Sequence, residues 1–295
     1  MTATDFLAVA EEGRPALVGP KIDGLRKFLL LFGAARSWLW LIFNANMDVG
    51  LLVIAALLLT ACATLAWVPR WAHVAPRIAV PLLFVELVGN FPFADNHFVL
   101  ELLVVSLLAL VGRDGDGESA VLQGILWVTA IVLFQTGLQK VLHGQYFGGE
   151  FLAFMVGRGD RFGDVFGWML SPEEVVRLAA HDPLRSGEGP YRVESTKFVL
   201  ASNAVYVAEM ILAPLLVWKR TRTVAAIVAL AFVVVIQTGA REIGFALVFV
   251  NLLLLFTPSD LIRKLVPVFG IFLLWVVLAA AGFLPGAAWI ESGYM

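Results

Sequence analysis

The sequence predicts an all-α fold, a polytopic helical membrane protein with about eight or nine transmembrane helices. Mean hydropathy is +0.87. Of the 295 residues, 60% are hydrophobic and 15% are charged, whereas a soluble domain carries roughly 25% charged residues. The apolar residues form runs of about 17–24, long enough to cross a bilayer as a helix. Because lipid admits only helices and closed barrels, and barrel strands are shorter and alternate, these runs indicate helices.

Nine apolar segments follow one another along the chain. They lie near residues 26–46, 51–69, 74–93, 96–112, 119–142, 195–218, 223–239, 242–258 and 264–284. We predict a cytoplasmic N-terminal lead over residues 1–25, one transmembrane domain over residues 26–284, and a C-terminal tail over residues 285–295. No internal repeat indicates a second domain.

One long connection, residues 143–194, interrupts the succession of apolar segments. It contains several glycines and an amphipathic stretch over residues 151–169. In the stretch SPEEVVRLAAHD, Ser171 precedes Glu174 by three residues, which is the pattern of a helix-capping box. We therefore expect a surface helix here, within an outer loop that offers a docking surface for a partner protein.

The basic residues predict the orientation, because lysine and arginine accumulate in cytoplasmic loops. With nine spans and a cytoplasmic N-terminus, the short outer loops carry Arg241 alone. Twelve basic residues then fall on the inner side: Arg14, Lys21, Arg26, Lys27, Arg70, Arg77, Arg113, Lys219, Arg220, Arg222, Arg263 and Lys264. We expect an integral protein of the inner or plasma membrane with this orientation. The net charge of −2 gives no indication of nucleic-acid binding.

On this topology, most of the polar side chains within apolar segments converge at the outer ends of the helices. The residues that we assign to a site there are Glu86, Asn96, His97, Glu101, Gln139, Lys140, His143, Tyr146, Gln237, Arg241 and Glu242. Glu209, placed deeper on its segment, is the main exception. We predict an outward-facing polar cavity with an apolar floor that is open to lipid.

Lys140 is the most informative of these residues, because it closes the apolar stretch VLQGILWVTAIVLFQTGLQK. A lysine near a membrane core costs roughly 2.5–3.5 kcal/mol on insertion scales unless it has a partner or a polar cavity. Such a residue is a functional candidate, and desolvation favours its neutral amine, which is a base. The alternative is a lysine whose ammonium reaches the headgroups at the end of its helix.

The stretch FQTGLQKVLHGQYFGGEFL resembles a signature of the vitamin K-dependent γ-glutamyl carboxylase and its bacterial relatives, the HTTM membrane proteins. The matching residues are Phe134, Gly137, Lys140, Tyr146 and Gly149. Two further stretches, DNHFVLELLVVSLLAL and REIGFALVFVNLLLLFTPSDL, resemble the Asn-His turn and a late helix of that family. The resemblance covers roughly residues 26–260.

The resemblance implies a quinol-dependent membrane enzyme. Lys140 corresponds to the lysine that deprotonates a hydroquinone, which then reacts with oxygen to give an epoxide and a strong base for carboxylation; His97 belongs to the same pocket. The expected cofactor is a vitamin K-like hydroquinone that enters from lipid. The family's large luminal domain has no counterpart in the sequence, and one family histidine is replaced near Val234 and Gln237. Quinol binding or oxidation is therefore the part of the mechanism that the resemblance carries furthest.

Other interpretations remain open. The chain can be a non-catalytic membrane subunit that binds quinone or lipid, or, ranked last, a transporter, which would predict inverted repeats. Glu86 can pair with Arg36 in packing, His97 can cap a helix, and Arg241 with Glu242 can form a surface ion pair. We predict no metal site, because the sequence contains no HExxH, CxxC or paired ExxH motif.

Overall fold

The computed structural model describes residues 18–43, 49–89, 96–112, 117–158, 166–182, 189–240 and 242–264, together with positions 163, 267 and 271. The described residues form helices joined by turns and contain no strand, which confirms the all-α class. A short 3-10 helix, Gly167–Met169, precedes the α-helix Pro172–Ala180. The α-helices are α1 (Val18–Phe43), α2 (Val49–Leu65), α3 (Ala75–Gly89), α4 (Asn96–Leu108), α5 (Glu118–His143), α6 (Glu150–Gly157), α7 (Pro172–Ala180), α8 (Thr196–Val217), α9 (Arg222–Ala240) and α10 (Ile243–Leu254).

Eight of the nine predicted apolar segments contain a helix, namely α1–α5 and α8–α10. The ninth segment lies almost wholly outside the described residues, as does the predicted tail. Two helices, α5 and α8, are both long and apolar enough to cross a membrane. Four others contain shorter apolar stretches: Leu52–Leu65, His97–Leu108, Arg222–Ile236 and Gly244–Leu254.

Helix α1 begins at Val18, so residues 18–25 of the predicted lead belong to the first helix. Hydropathy did not predict this start, because Gly19, Pro20, Lys21 and Asp23 interrupt the apolar pattern. The extension is held by packing instead, since Ile22 and Leu25 are buried in the main core.

Neighbouring helices run in alternating directions, which gathers several chain turns at one end of the bundle. We call this the basic end: the first turns of α1, α3 and α5 and the last turns of α2, α4 and α10. Three basic side chains bind opposing helix ends there: Lys27 Nζ lies 4.8 Å from the centre of the Trp67 ring, Arg77 Nε donates to Ala109 O at 2.9 Å, and Lys21 Nζ donates to Thr257 O at 2.6 Å. Carbonyls at helix C-termini are natural acceptors for such cations.

Gly137 permits a close contact between α5 and α8. A Cβ atom at this position would lie 2.8 Å from Met210 Cγ, 3.0 Å from Tyr206 O and 3.1 Å from Glu209 Cβ. Small residues let helix backbones approach in this way. The contact sets α5 against α8 at the level of Glu209.

The connection between α5 and α8 folds back on itself and forms a second, small apolar core. Leu152, Ala153 and Leu178 pack there against Phe198 of α8. The predicted surface helix is confirmed as α7, with both bonds of the capping box present between Ser171 and Glu174. The chain leaves α5 through Gly144, whose φ of 69° favours glycine.

Candidate functional site

The predicted base, Lys140, is held by a carboxylate from another helix. Lys140 Nζ donates to Glu209 Oε2 at 2.8 Å and to Oε1 at 2.9 Å. The side chains are 20% and 9% exposed, respectively, so the pair is largely shielded from solvent. Lys140 is therefore paired across two helices by Glu209.

Glu209 lies at the same height along the bundle as Lys140. It is therefore not the separate, deeper residue that we expected from the sequence. The sequence placed it deeper because it is the fourteenth residue of the 22-residue helix α8, whereas Lys140 is close to the end of α5. The first turns of α8 stand beside the connection instead of beside α5. Ser202 Oγ donates to Tyr146 O at 2.9 Å, and Asn203 Nδ2 donates to Phe147 O at 3.0 Å.

Beside this pair, a cleft opens between α5, α8, α9 and α10. Its cavity volume is about 50 Å³. Glu209 and Thr136 are the polar side chains among the described residues that line it. The others are apolar: Val132, Leu133, Phe232, Val233, Ile236, Phe245 and Phe249. An apolar cleft that carries a single ionisable side chain is the usual form of a site for a small lipophilic ligand.

Two further residues are coupled to the Lys140–Glu209 pair, Tyr146 directly through its ring and Glu242 through its charge acting on Tyr146. Lys140 Nζ lies 5.6 Å from the centre of the Tyr146 ring, within the range of a cation–π contact. Burial raises the pKa of the Tyr146 phenol above its ordinary value, and the carboxylates of Glu209 and Glu242 raise it further. The phenol therefore stays protonated and able to donate a hydrogen bond.

Two of the predicted ligand-binding carboxylates belong to a separate buried group, which we call the Arg36 cluster: Arg36, Ser37, Glu86 and Glu101. Arg36 Nη2 lies 3.0 Å from Glu86 Oε2 and 3.1 Å from Glu101 Oε2. The hydroxyl of Ser37 donates a short hydrogen bond to Glu86 Oε1. The packing alternative for Glu86, a pair with Arg36, is thus confirmed, and neither carboxylate is among the residues that line the cleft.

His97 lies between the two groups, against the start of α10. A Cβ atom on Gly244 would lie 3.0 Å from His97 Nε2, so the ring rests on the helix backbone. The next residue of α10, Phe245, lines the cleft, and Glu242 acts on Tyr146. The first turn of α10 therefore contacts His97 through Gly244 and lines the cleft through Phe245.

The remaining described residues that the sequence analysis assigned to the site lie at the ends of several helices. Gln139 and His143 are exposed on the last turns of α5. Asn96 and Gln237 lie at the first residue of α4 and near the end of α9, respectively, and Arg241 falls outside the described residues. Across the described part of the chain, no three His, Cys, Asp or Glu side chains are arranged to hold a metal ion.

Sequence reasoning gave no site role to Glu209 or Arg36, although each is a charge within an apolar helix. A charged residue inside an apolar helix could have identified both of them, because such a charge requires a partner at the same height in the bundle. No protein-family model matches the chain, and the comparisons with curated proteins and with solved structures found no match either.

Proposed function

We propose that the protein spans a membrane eight or nine times, with its N-terminus and basic end in the cytoplasm. The apolar windows of α5 and α8 are 39% and 28% buried, so most of their apolar surface faces outward. Leu31, Phe84 and Ile131 are 55%, 56% and 61% exposed. Surfaces of this kind require lipid or a protein partner to cover them.

Two exposed tryptophans at helix C-termini, one after α2 and one after α8, support the same placement. Trp67 and Trp218 are 63% and 61% exposed, and each stands beside basic residues at a helix end. Tryptophan collects at the membrane–water boundary, and lysine and arginine collect on the cytoplasmic side. The contact between Lys27 and the Trp67 ring contains one residue of each kind.

We propose further that the cleft binds a lipophilic hydroquinone, with its head group against the Lys140–Glu209 pair. The single observation that carries this proposal is the cleft itself, whose apolar lining ends at the carboxylate of Glu209. The apolar lining suits an aromatic ring in chemical character, and a phenolic hydroxyl can donate to a carboxylate. A ligand dissolved in the bilayer reaches the cleft without crossing water.

In this proposal the pair receives the hydroquinone's proton. The hydroxyl donates to Glu209, and Lys140 holds the negative charge that develops as the proton leaves. The resemblance to the carboxylase family assigns the base role to Lys140; the geometry adds Glu209, because it is the ionisable side chain that lines the cleft. The resulting anion is the reactive species for quinol-coupled oxidation, epoxidation or carboxylation.

The test is quinol oxidation by the purified protein in detergent, followed by absorbance with and without oxygen. The enzyme proposal predicts oxygen-dependent turnover in the wild type and its loss in a folded Lys140→Ala protein. Lys197→Ala, an exposed lysine near the start of α8, is the matched control and should keep the activity. Absence of turnover in the wild type across several quinols would overturn catalysis by the isolated chain.

A second candidate is a non-catalytic subunit that binds quinone and docks a partner protein on its outer connection. Trp168 and Val176 favour it, because they are 73% and 69% exposed on the small core formed by α6 and α7. A binding subunit should retain quinone affinity after Lys140→Ala, whereas the enzyme should lose turnover. The two readings are therefore separated by measuring binding and turnover on the same variant.

A further inference from the structure

Among the described residues, two carboxylates of the Arg36 cluster share one guanidinium. The two carboxylates, Glu86 and Glu101, face the guanidinium of Arg36, and their side chains are 4% and 0% exposed. Among the described residues, the charged groups that act on Glu101 are Arg36 and Glu86. An ionised Glu101 would share its cation with the neighbouring Glu86 carboxylate and would be repelled by it, which is costly for a charge buried away from water.

The hydrogen bonds distinguish the two carboxylates. Glu86 is bound at both oxygens, by Ser37 at Oε1 and by Arg36 at Oε2. Glu101 is bound by Arg36 at Oε2, but its Oε1 is buried without a hydrogen-bond partner in the part of the chain that the structure describes. An ionised oxygen in such a position loses its hydration without compensation, whereas a protonated one carries no charge.

Glu101 Oε1 rests against the backbone of α1. A Cβ atom on Gly33 would lie 2.5 Å from it, so the glycine makes room for the carboxyl group. The guanidinium of Arg36 lies 3.7 Å from the centre of the Phe98 ring, which closes the cluster on another side. His97, one turn before Glu101 on α4, is the other titratable side chain close in sequence on that helix.

We propose that the Arg36 cluster is a proton-binding site that takes up one proton on Glu101. The ligand is a proton from solution, which adds to the carboxylate to give a neutral carboxylic acid and leaves Arg36 paired with ionised Glu86. The site is separate from the cleft, and its proton does not depend on quinol binding or on the proposed function.

Infrared spectroscopy of the purified protein at neutral pH tests this directly. The wild type should show the carbonyl stretch of a protonated carboxylic acid, shifted by exchange into heavy water. The band should be lost in Glu101→Gln and retained in the control Glu209→Gln, because Glu209 is balanced one to one by Lys140. A wild type without the band, or a Glu101→Gln protein that keeps it, would overturn the proposal.

Thermal stability assigns the proton to one of the two carboxylates. Glutamine has the shape and charge of a protonated glutamate, so Glu101→Gln should melt at the wild-type temperature. Glu86→Gln removes the ionised partner of Arg36 and forces Glu101 to ionise with its unpartnered oxygen, so it should melt lower. The opposite order of melting temperatures would place the proton on Glu86 and contradict the assignment to Glu101.

Discussion

Lys140 and Glu209 are 69 positions apart in the sequence and form two hydrogen bonds of 2.9 and 2.8 Å between α5 and α8. The pair lies where Gly137 brings the two helices together, and Glu209 forms part of the wall of the apolar cleft. An ion pair is therefore built into the helix contact that the candidate ligand site depends on.

Breaking this pair should destabilise the protein. Lys140→Met leaves the carboxylate of Glu209 largely buried without its cation, and removal of one partner of a buried pair costs about 3 kcal/mol. The double variant Lys140→Met, Glu209→Gln should recover most of the loss, because no charge then lacks a partner. Melting temperatures in one detergent measure the cycle; additive losses in the double variant would show that the two side chains are not coupled.

Gly137→Ala should also destabilise the bundle. Its methyl group would meet Met210 Cγ at 2.8 Å and the backbone carbonyl of Tyr206 at 3.0 Å, and overpacking of this kind costs about 1–3 kcal/mol. Gly24→Ala on α1 is the matched control, since nothing lies within 4 Å of the added atom and alanine favours a helix. A Gly137→Ala protein as stable as the control would contradict the close α5–α8 contact.

The outer connection should depend on Glu174 more than on Ser171. Glu174 Oε2 accepts from the Ser171 amide at 3.3 Å, and its Oε1 accepts from the Glu194 amide at 2.7 Å. Ser171→Ala loses a helix cap, worth about 1 kcal/mol. Hydrogen exchange should therefore rise within α7 alone for Ser171→Ala, and both in α7 and at Glu194 for Glu174→Ala. Equal hydrogen-exchange patterns in the two variants would contradict a stabilising hydrogen bond between Glu174 Oε1 and the Glu194 amide.

The proposed topology can be tested at the two ends of α8. The thiol of Cys62 is buried, and replacing it by alanine provides a background for single cysteines. Lys197→Cys should react with an impermeant reagent from the outer side of sealed vesicles, and Lys219→Cys should react after the vesicles are inverted. Labelling of both positions from the same side would contradict a membrane-spanning α8.

Hydropathy and capping chemistry were sufficient to predict eight helices and the start of α7, because both depend on residues that are neighbours in sequence. The packing role of Glu86 was also foreseeable, since a buried carboxylate needs a cation and Arg36 stood in the first apolar segment. Charge placement alone was therefore sufficient to predict one pair of the Arg36 cluster, which lies outside the cleft.

The partnership of Lys140 with Glu209 could not be predicted in the same way. The height of Glu209 along the bundle depends on how far α8 extends past the end of α5. The folded connection fixes that extension, because Phe198 packs in the small core and the Ser202 hydroxyl donates to Tyr146 O. The cleft likewise arises from four helices in contact. Neither feature follows from the periodicity of any single segment.

The most direct measurement is equilibrium binding of a short-chain hydroquinone to the protein in lipid nanodiscs. Val233 lines the cleft on α9, whereas Val228 on the same helix is 48% exposed. Val233→Phe fills the cleft and should weaken binding at least tenfold, while Val228→Phe should bind as the wild type does. Unchanged affinity in a folded Val233→Phe protein, or no saturable binding by the wild type, would contradict a hydroquinone site in this cleft.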